Sequence, residues 1–356
     1  MGFFQLSDTQ YMRRCLQLAR CGRGSTSPNP MVGALLVCDG RIIGEGYHVR
    51  AGEPHAEVNA VRSVKEVDRP LICRSTMYVT LEPCSHFGKT PPCCDMIISL
   101  GIPRVVIGVA DVNLQVNGAG ISRMKAAGID VTVGVLEDEC FRLNRCFFTS
   151  HRCHRPYVTI KWAQSADGYI DVARNDGLPI AISSKISRVA VHKLRAEHDA
   201  ILVGTRTALL DNPSLDVRFW SGRTPLRLVI DRKGVLPLSL NLFDGTLPTI
   251  VYTFVKRDTF VGKNIEQIVL DPNVDVIPQI LKHLHSRNIN SILVEGGAML
   301  LQSFIDSGLW DVARVEVNKS LFLKNGVRAP HLPSSEQTSI IVGGNEILHF
   351  APEKAF

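Results

Sequence analysis

Apolar residues along the first part of the chain follow two different periods. Met12, Cys15, Leu16 and Ala19 fall on one helical stripe that starts behind a Ser7-x-x-Gln10 capping box and stops at Gly22, which predicts an opening helix. Two apolar runs follow, residues 31–38 and 41–47, separated by Asp39-Gly40, a dipeptide suited to a two-residue hairpin turn. Beyond them the pattern predicts helices over 54–64, 93–100 and 120–127 and strands over 77–81, 104–110 and 130–134. A hairpin followed by alternating helices and strands implies a mostly parallel sheet covered on both faces, and hence an α/β class.

Between residues 137 and 156 the periodicity lapses into a mixed basic stretch, read as a linker, and the pattern resumes at Tyr157. A run over 157–162, a helix over 185–197 and strands over 200–203, 226–231, 249–254, 292–295 and 312–317 describe a second α/β unit. Two domains are therefore expected, residues 1–148 and 149–356, and 356 residues suffice for each to bury a core. The stretch over 320–356 carries no motif that points to a function, although 340–342 and 347–350 have the composition of edge strands.

Composition removes several classes of function. Apolar residues make up 45% and charged residues 21%, as in an ordinary globular protein, and no apolar run reaches the roughly 18 residues of a membrane span. Residues 1–15 lack the basic region, apolar core and small-residue cleavage site of a secretory signal, so a cytoplasmic location and no membrane partner are expected. The 10 cysteines are too sparse for a secreted disulfide scaffold and are expected to be reduced. The net charge of +6 is spread along the chain, which suits a phosphorylated small molecule as well as a nucleic acid. His151, Cys153 and His154 resemble a metal cluster only in composition and fit a solvated linker better.

The strongest chemical signal is His55-Ala56-Glu57, followed by Pro83-Cys84 and Pro92-Cys93. One imidazole and two thiolates give a tetrahedral zinc three protein ligands and leave one position exchangeable, so one zinc per chain is expected on His55, Cys84 and Cys93. Glu57 sits two residues past the histidine at a helix start, where it can face the metal-bound water and shuttle its proton to a departing amine. Zinc lowers the pKa of bound water toward roughly 7, which suits attack on a ring carbon that carries an exocyclic amine. A purely structural zinc would favour a fourth protein ligand, for which Cys94 and His86 are the candidates.

His-x-Glu followed by Pro-Cys and a second Cys is the signature of zinc nucleotide deaminases, here with eight residues between the cysteines. The segment from Glu82 to Cys93, together with Pro28-Asn-Pro-Met-Val-Gly33, Gly46-Tyr-His-Val49 and Gly52-Glu-Pro-His-Ala-Glu57, closely resembles the bifunctional riboflavin-biosynthesis deaminase/reductases. That resemblance implies a cytidine-deaminase-like three-layer α/β/α domain followed by a dihydrofolate-reductase-like α/β domain. The substrate it implies is 2,5-diamino-6-ribosylamino-4(3H)-pyrimidinone 5′-phosphate, deaminated at the ring amine. Lys89 and Thr90 suit its phosphate, and Asn29, His48, Asp111 and Asn113 match positions that read ring or ribose groups. Where the family carries Asp-Pro-Asn-Pro, this chain has Asp111-Val-Asn-Leu114, which gives up the rigidity of proline.

Residues alone leave the second unit nearly silent. Val294-Glu-Gly-Gly-Ala298 opens a helix with a glycine pair, a turn that exposes backbone N–H groups to an anion but also serves any tight connection. The segments Lys161-Trp-Ala-Gln-Ser-Ala-Asp-Gly168, Leu194-Arg-Ala-Glu197, Asp211-Asn-Pro-Ser-Leu215 and Glu295-Gly-Gly297 resemble the reductase half of the same family. This implies reduction of the ribosyl chain to a ribityl chain by NADPH, giving 5-amino-6-ribitylamino-uracil 5′-phosphate. By matching motif, NADPH contacts fall on Ala163, Thr207, Asp211, Gly297, Ala298, Met299, Leu300, Leu301, Gln302 and Ser303. Substrate contacts fall on Arg195, Leu215, Arg218 and Glu295. Ala181 stands where the family carries a cofactor-contacting tryptophan, and Asn212 replaces the second Asp of Asp-Asp-Pro. Family members associate through the second domain, so a homo-oligomer is implied.

Three competing readings remain open. A deaminase of bases in tRNA or single-stranded DNA would show basic stripes with interleaved aromatics, and only 6% of this chain is aromatic. A zinc-stabilised regulatory protein would have no need of Glu57 as a base. A deaminase with an inactive reductase half is suggested by Ala181.

Overall fold

The computed structural model describes residues 6–85, 91–112, 118–172, 180–260, 264–333 and 336–352. They form two compact units, Met1–Cys153 and His154–Phe356. In the first, the elements are α1 (Asp8–Arg20), β1 (Gly33–Cys38), β2 (Arg41–Tyr47), α2 (Ala56–Arg62), β3 (Thr76–Leu81), α3 (Cys93–Ser99), β4 (Arg104–Val109), α4 (Ala119–Ala126), β5 (Asp130–Val133), α5 (Glu137–Leu143) and α6 (Arg145–Cys153).

The capping box is present: the Ser7 N–H donates to Gln10 Oε1 at 2.8 Å, satisfying a donor that the helix itself cannot. The hairpin turn has Asp39 at φ 50° and Gly40 at φ 78°, the left-handed pair that a type I′ turn requires. Strand order is β2-β1-β3-β4-β5, antiparallel up to β3 and parallel from β3 onward. Every side chain of β1 is buried, because both faces of the sheet are covered. One face packs Ala34, Leu36, Met77 and Val79 against Ala56, Ala60, Ile97 and Met124; the other packs Leu35, Tyr78 and Val106 against Met12, Cys15, Cys140 and Phe148. This is a three-layer α/β/α sandwich.

Gly46 sets the height of α2 above the sheet. A Cβ there would lie 2.2 Å from the Ala60 nitrogen and 2.5 Å from the Ala56 carbonyl oxygen, so only glycine lets the helix rest on β2. The stretch read as a linker is instead α5 and α6. Helix α6 buries Phe147 and Phe148, so the first unit ends at Cys153, five residues past the expected boundary. The missing signal has a physical reason: α5 and α6 are short, and one apolar face among charged residues reads as irregular over so few turns.

The second unit contains β6 (Tyr157–Ser165), β7 (Tyr169–Asp171), α7 (Lys185–Ala196), β8 (Ala200–Gly204), α8 (Thr205–Asp211), β9 (Leu226–Ile230), β10 (Thr249–Thr253), β11 (Ile265–Val269), α9 (Val276–Ser286), β12 (Ser291–Val294), α10 (Ala298–Asp306), β13 (Val312–Asn318), β14 (Val327–Arg328), β15 (Glu336–Val342) and β16 (Asn345–Ala351). Its nine-stranded sheet runs β11-β10-β9-β8-β12-β6-β13-β16-β15. The first seven strands of that order pair in parallel and the last two add an antiparallel hairpin, while β7 and β14 pair separately. The two strands expected near the C-terminus are present. Only β15 is an edge; β16 is enclosed between β13 and β15. No helix among the described residues is long and apolar enough to cross a membrane.

Candidate functional site

Two helix starts and one loop converge over the first sheet. His55 is the N-cap of α2, Glu57 lies in its first turn, and Cys93 opens α3. Cys84 follows β3 and is tied to the start of α3, its Sγ accepting from the Cys93 N–H at 3.3 Å and its carbonyl from the Cys94 N–H at 3.2 Å. His55 Nδ1 lies 3.5 Å from Cys84 Sγ and 3.4 Å from Cys93 Sγ, and the three ligand atoms lie within 4.8 Å of one another. A tetrahedral centre with metal–sulfur bonds of about 2.3 Å and metal–nitrogen bonds of about 2.05 Å sets sulfur and nitrogen roughly 3.5 Å apart, so the donors fit a zinc ion. Of the remaining candidate ligands, Cys94 does not join them, its thiol pairing with Asp95 at 3.6 Å, and His86 lies outside the described residues.

The protons of this cluster are shared unevenly. The Cys93 thiol hydrogen bond and the neighbouring His55 hold the Cys84 thiol well below its ordinary range, which favours Cys84 as the thiolate of the pair. The same contact with Cys84 pushes Cys93 up. Hydrogen bonding to Cys84 raises His55 to about 9. Zinc binding therefore displaces protons from His55 and Cys93. Glu57 is only 3% exposed, and burial pushes its carboxyl above the ordinary range, as suits a group that must take up and return a proton.

A second set of side chains stands beside the metal ligands. His48 Nδ1 lies 3.2 Å from the Pro54 carbonyl oxygen, which can only accept, so the ring proton is on Nδ1 and Nε2 accepts from Asn29 Nδ2 at 3.2 Å. Burial holds His48 below its ordinary pKa, and its ring stands edge-on to His55 at 5.6 Å. Asn29 and His48 are thus brought to the centre. Asp111 is buried at the end of β4, whereas Lys89, Thr90 and Asn113 lie outside the described residues.

Three positioning residues escaped the sequence reading. The Glu82 carboxylate accepts the N–H groups of Asp111 at 3.1 Å, Gly118 at 3.0 Å and Ile121 at 3.2 Å, tying the end of β4 to the start of α4. Asn59 Nδ2 donates to the Tyr47 carbonyl at 2.8 Å and the Pro54 carbonyl at 3.2 Å, fixing the segment that carries His48. Asn144, inside the supposed linker, exchanges two 2.8 Å hydrogen bonds with the Met31 backbone and so holds the loop of Asn29. Glu82 and Asn59 stand directly beside the Pro-Cys and His-x-Glu motifs, a position that could have flagged them, whereas nothing in the sequence marks Asn144.

In the second unit a cavity of about 640 Å³ opens among β6, α7, α8 and the start of α10. Ala163, Thr207, Asp211, Gly297, Ala298, Met299 and Leu301 line it, as do Arg195, Arg218 and Glu295. Gly297 has φ 72°, and a Cβ on Gly296 would lie 2.9 Å from Thr207 Cγ2, so the glycine pair lets the helix start close directly against α8. A cradle of this size with a glycine turn at its base suits a dinucleotide.

Four of the residues expected as contacts are not among those that line this cavity. Leu215 is 2% exposed within the core, and Leu300 packs against the other core cluster. Gln302 accepts from the His331 N–H and donates to Asp306, and Ser303 Oγ bonds the Met299 carbonyl in its own helix. Ala181 lines the cavity and is exposed, while Asn212 turns away to accept the Asn241 N–H at 2.7 Å.

Arg195 and Glu295 meet as a buried bidentate pair at 2.7 and 3.2 Å. Beside them Lys161 lines the cavity, its ammonium held below its ordinary pKa by burial and supported by Glu295 and Glu316. A lysine set between Ile160 and Trp162 in a strand was its sequence signal.

Residues 6–109 match the family model for the cytidine and deoxycytidylate deaminase zinc-binding region, and residues 156–321 match that for the RibD C-terminal domain. The riboflavin biosynthesis protein RibD of Aquifex aeolicus is 42% identical over 309 residues, 85% of each chain. That of Escherichia coli is 37% identical over 350 residues, 93% of each. A solved structure of a diaminohydroxyphosphoribosylaminopyrimidine deaminase/5-amino-6-(5-phosphoribosylamino)uracil reductase from Thermotoga maritima superposes with a TM-score of 0.87 at 36% identity, covering 97% of this chain and 98% of that one. Acinetobacter baumannii RibD superposes with the same TM-score at 31% identity, covering 98% and 99%. With both units accounted for by relatives that span nearly its whole length, the chain belongs to the RibD family of bifunctional riboflavin-biosynthesis enzymes, a zinc-binding deaminase unit followed by a reductase unit.

Proposed function

We propose that the first unit hydrolyses the ring amine of 2,5-diamino-6-ribosylamino-4(3H)-pyrimidinone 5′-phosphate and the second reduces the ribosyl chain of the product with NADPH. The observation that carries the first step is the spacing of His55 Nδ1, Cys84 Sγ and Cys93 Sγ beside the buried carboxyl of Glu57. A bound zinc supplies a hydroxide-like nucleophile near neutral pH. Glu57 takes the proton released as that nucleophile forms and returns it to the leaving amine, which departs as ammonia. Asn29 and His48 orient the pyrimidine or its ribose, and Lys89, Thr90, Asp111 and Asn113 complete the substrate pocket. Glu82, Asn59 and Asn144 hold the loops that carry these groups.

NADPH supplies the hydride for the second step, and the cavity walls position it. Ala163, Thr207, Asp211 and the turn from Gly297 to Met299 form the cofactor side. Arg195, Arg218 and Glu295 form the substrate side, with Arg218 presented to the phosphate. Exposure of Ala181 in the cavity wall supports a second reading, in which the reductase half binds cofactor weakly.

The test offers the purified protein the diaminopyrimidine phosphate and, separately, tRNA, and measures ammonia release; NADPH absorbance is then followed with the deaminated product. Ammonia from the pyrimidine alone, followed by NADPH oxidation, is the expected result. Ammonia from tRNA would overturn the substrate assignment, and absence of NADPH oxidation would leave the first unit alone active.

A further inference from the structure

The reductase cavity contains a buried imidazole with no part in the reading above. His192 lies one helical turn before Arg195 on α7, is 4% exposed and lines the cavity. The backbone N–H of Arg218 approaches its Nδ1 at 3.2 Å. A ring nitrogen that accepts from an amide carries the lone pair, so the ring is neutral with its proton on Nε2. Burial, followed by the guanidinium groups of Arg195 and Arg218, holds the ring below its ordinary pKa, in keeping with that state.

This contact is one of three that fix a short segment. Leu215 enters it in the left-handed region at φ 51° with its side chain sealed in the core. The Asp216 carbonyl accepts from Arg195 Nη1 at 3.2 Å, and the Arg218 amide is held by His192. Phe219 then stands edge-on to the imidazole, with centroids 4.8 Å apart at 73°. The Arg218 guanidinium, paired with Asp216 and 5.1 Å from the Phe219 ring, is left half exposed at the cavity. An apolar residue at 192 could fill the same space, but it would leave the Arg218 amide without its acceptor.

We propose that His192 is a positioning residue of the reductase site: by accepting the Arg218 amide it sets the Arg218 guanidinium where the phosphate of the substrate binds. The proposal rests on the assignment of Arg218 to that phosphate.

An isosteric pair of variants tests it. Asn places an acceptor oxygen where Nδ1 stands, whereas Leu has the same shape without one. Reductase KM and kcat are measured for the deaminated phosphate substrate and for its dephosphorylated counterpart, with ammonia release by the first unit as an internal control. His192→Leu is expected to raise KM for the phosphorylated substrate by roughly tenfold, the effect of one lost buried hydrogen bond, with kcat and the dephosphorylated substrate little changed. His192→Asn should restore the wild-type KM, and adding His192→Leu to Arg218→Ala should cost nothing further. If His192→Leu yields no folded reductase unit, His192→Phe, which keeps a ring edge toward Phe219, takes its place.

Equal loss on both substrates, failure of Asn to rescue, or additivity with Arg218→Ala overturns the role of His192. If Arg218→Ala raises KM no more for the phosphorylated substrate than for its dephosphorylated counterpart, the assignment of Arg218 fails first and the proposal with it.

Discussion

The deaminase centre draws its ligands and its base from two helix starts and one residue beyond a strand, whereas the reductase cavity takes its wall from β6, α7, α8, the segment around Arg218 and the turn into α10. In the first unit a few side chains carry the chemistry, and changing any one changes the reaction. In the second, the reactive hydrogen belongs to a cofactor and the protein contributes shape and charge, so the work is divided among many residues with modest individual effects. One centre is therefore brittle and the other graded.

Glu57→Gln offers the sharpest test of that contrast. Ammonia release is expected to fall by roughly 10²–10⁴-fold, with zinc retained on metal analysis and NADPH oxidation of the deaminated substrate unchanged. A parallel loss of both activities would show that the units do not work independently.

Glu295→Leu applies the same logic to the second unit. It leaves the Arg195 guanidinium buried without its carboxylate, and breaking such a pair costs about 3 kcal/mol. Calorimetry is expected to show the reductase transition lowered while ammonia release at moderate temperature persists; an unchanged transition would mean that the pair adds nothing.

A smaller effect is expected from Glu82→Gln, which weakens three backbone contacts at about 1–3 kcal/mol in all. Zinc should stay bound while KM for the diaminopyrimidine rises, because the loop is displaced and the ligands are not. Loss of zinc in this variant would refute that division.

The mildest prediction concerns acid. Burial holds His192, His283 and His285 of the second unit below the ordinary value of 6.5. A depressed histidine stabilises the fold above that pH, and below it the unfolded chain takes up the proton first, so stability declines as pH falls from 6.5 toward the folded values. His283→Gln, which removes the imidazole 2.9 Å from the Tyr252 hydroxyl, should flatten the slope of the thermal midpoint between pH 7 and 5 by a small amount. An equally steep slope would place the titrating group elsewhere.

The same contrast decides what the amino acids reveal unaided. His55, Glu57, Cys84 and Cys93 stand in an order and spacing that few other purposes require, and the Asp39-Gly40 turn follows from its two residues. Nothing comparable marks the reductase wall, where Arg195 and Glu295 become meaningful only once the sheet brings them together across 100 positions. Carrying motifs over residue by residue placed Thr207 and Gly297 in the cavity, but Gln302 and Ser303 lie one helical turn beyond Ala298 and Met299, past the residues that line it, and bond to His331 and the Met299 carbonyl. Helix α9 was legible from its buried stripe at Val276, Ile277, Ile280, Leu281 and Leu284 and was passed over, while β11 is a short edge strand with little alternation to read.

Asn144 matters to anyone who would express the halves separately. Its amide completes the backbone of Met31 from more than a hundred residues away, and the two phenylalanines after it seal the sheet face below. A gene cut at the apparent end of the motif-bearing sequence, near residue 136, would yield a deaminase that keeps every metal ligand and lacks the clasp on its substrate loop. Extending the coding region through Cys153 restores that clasp.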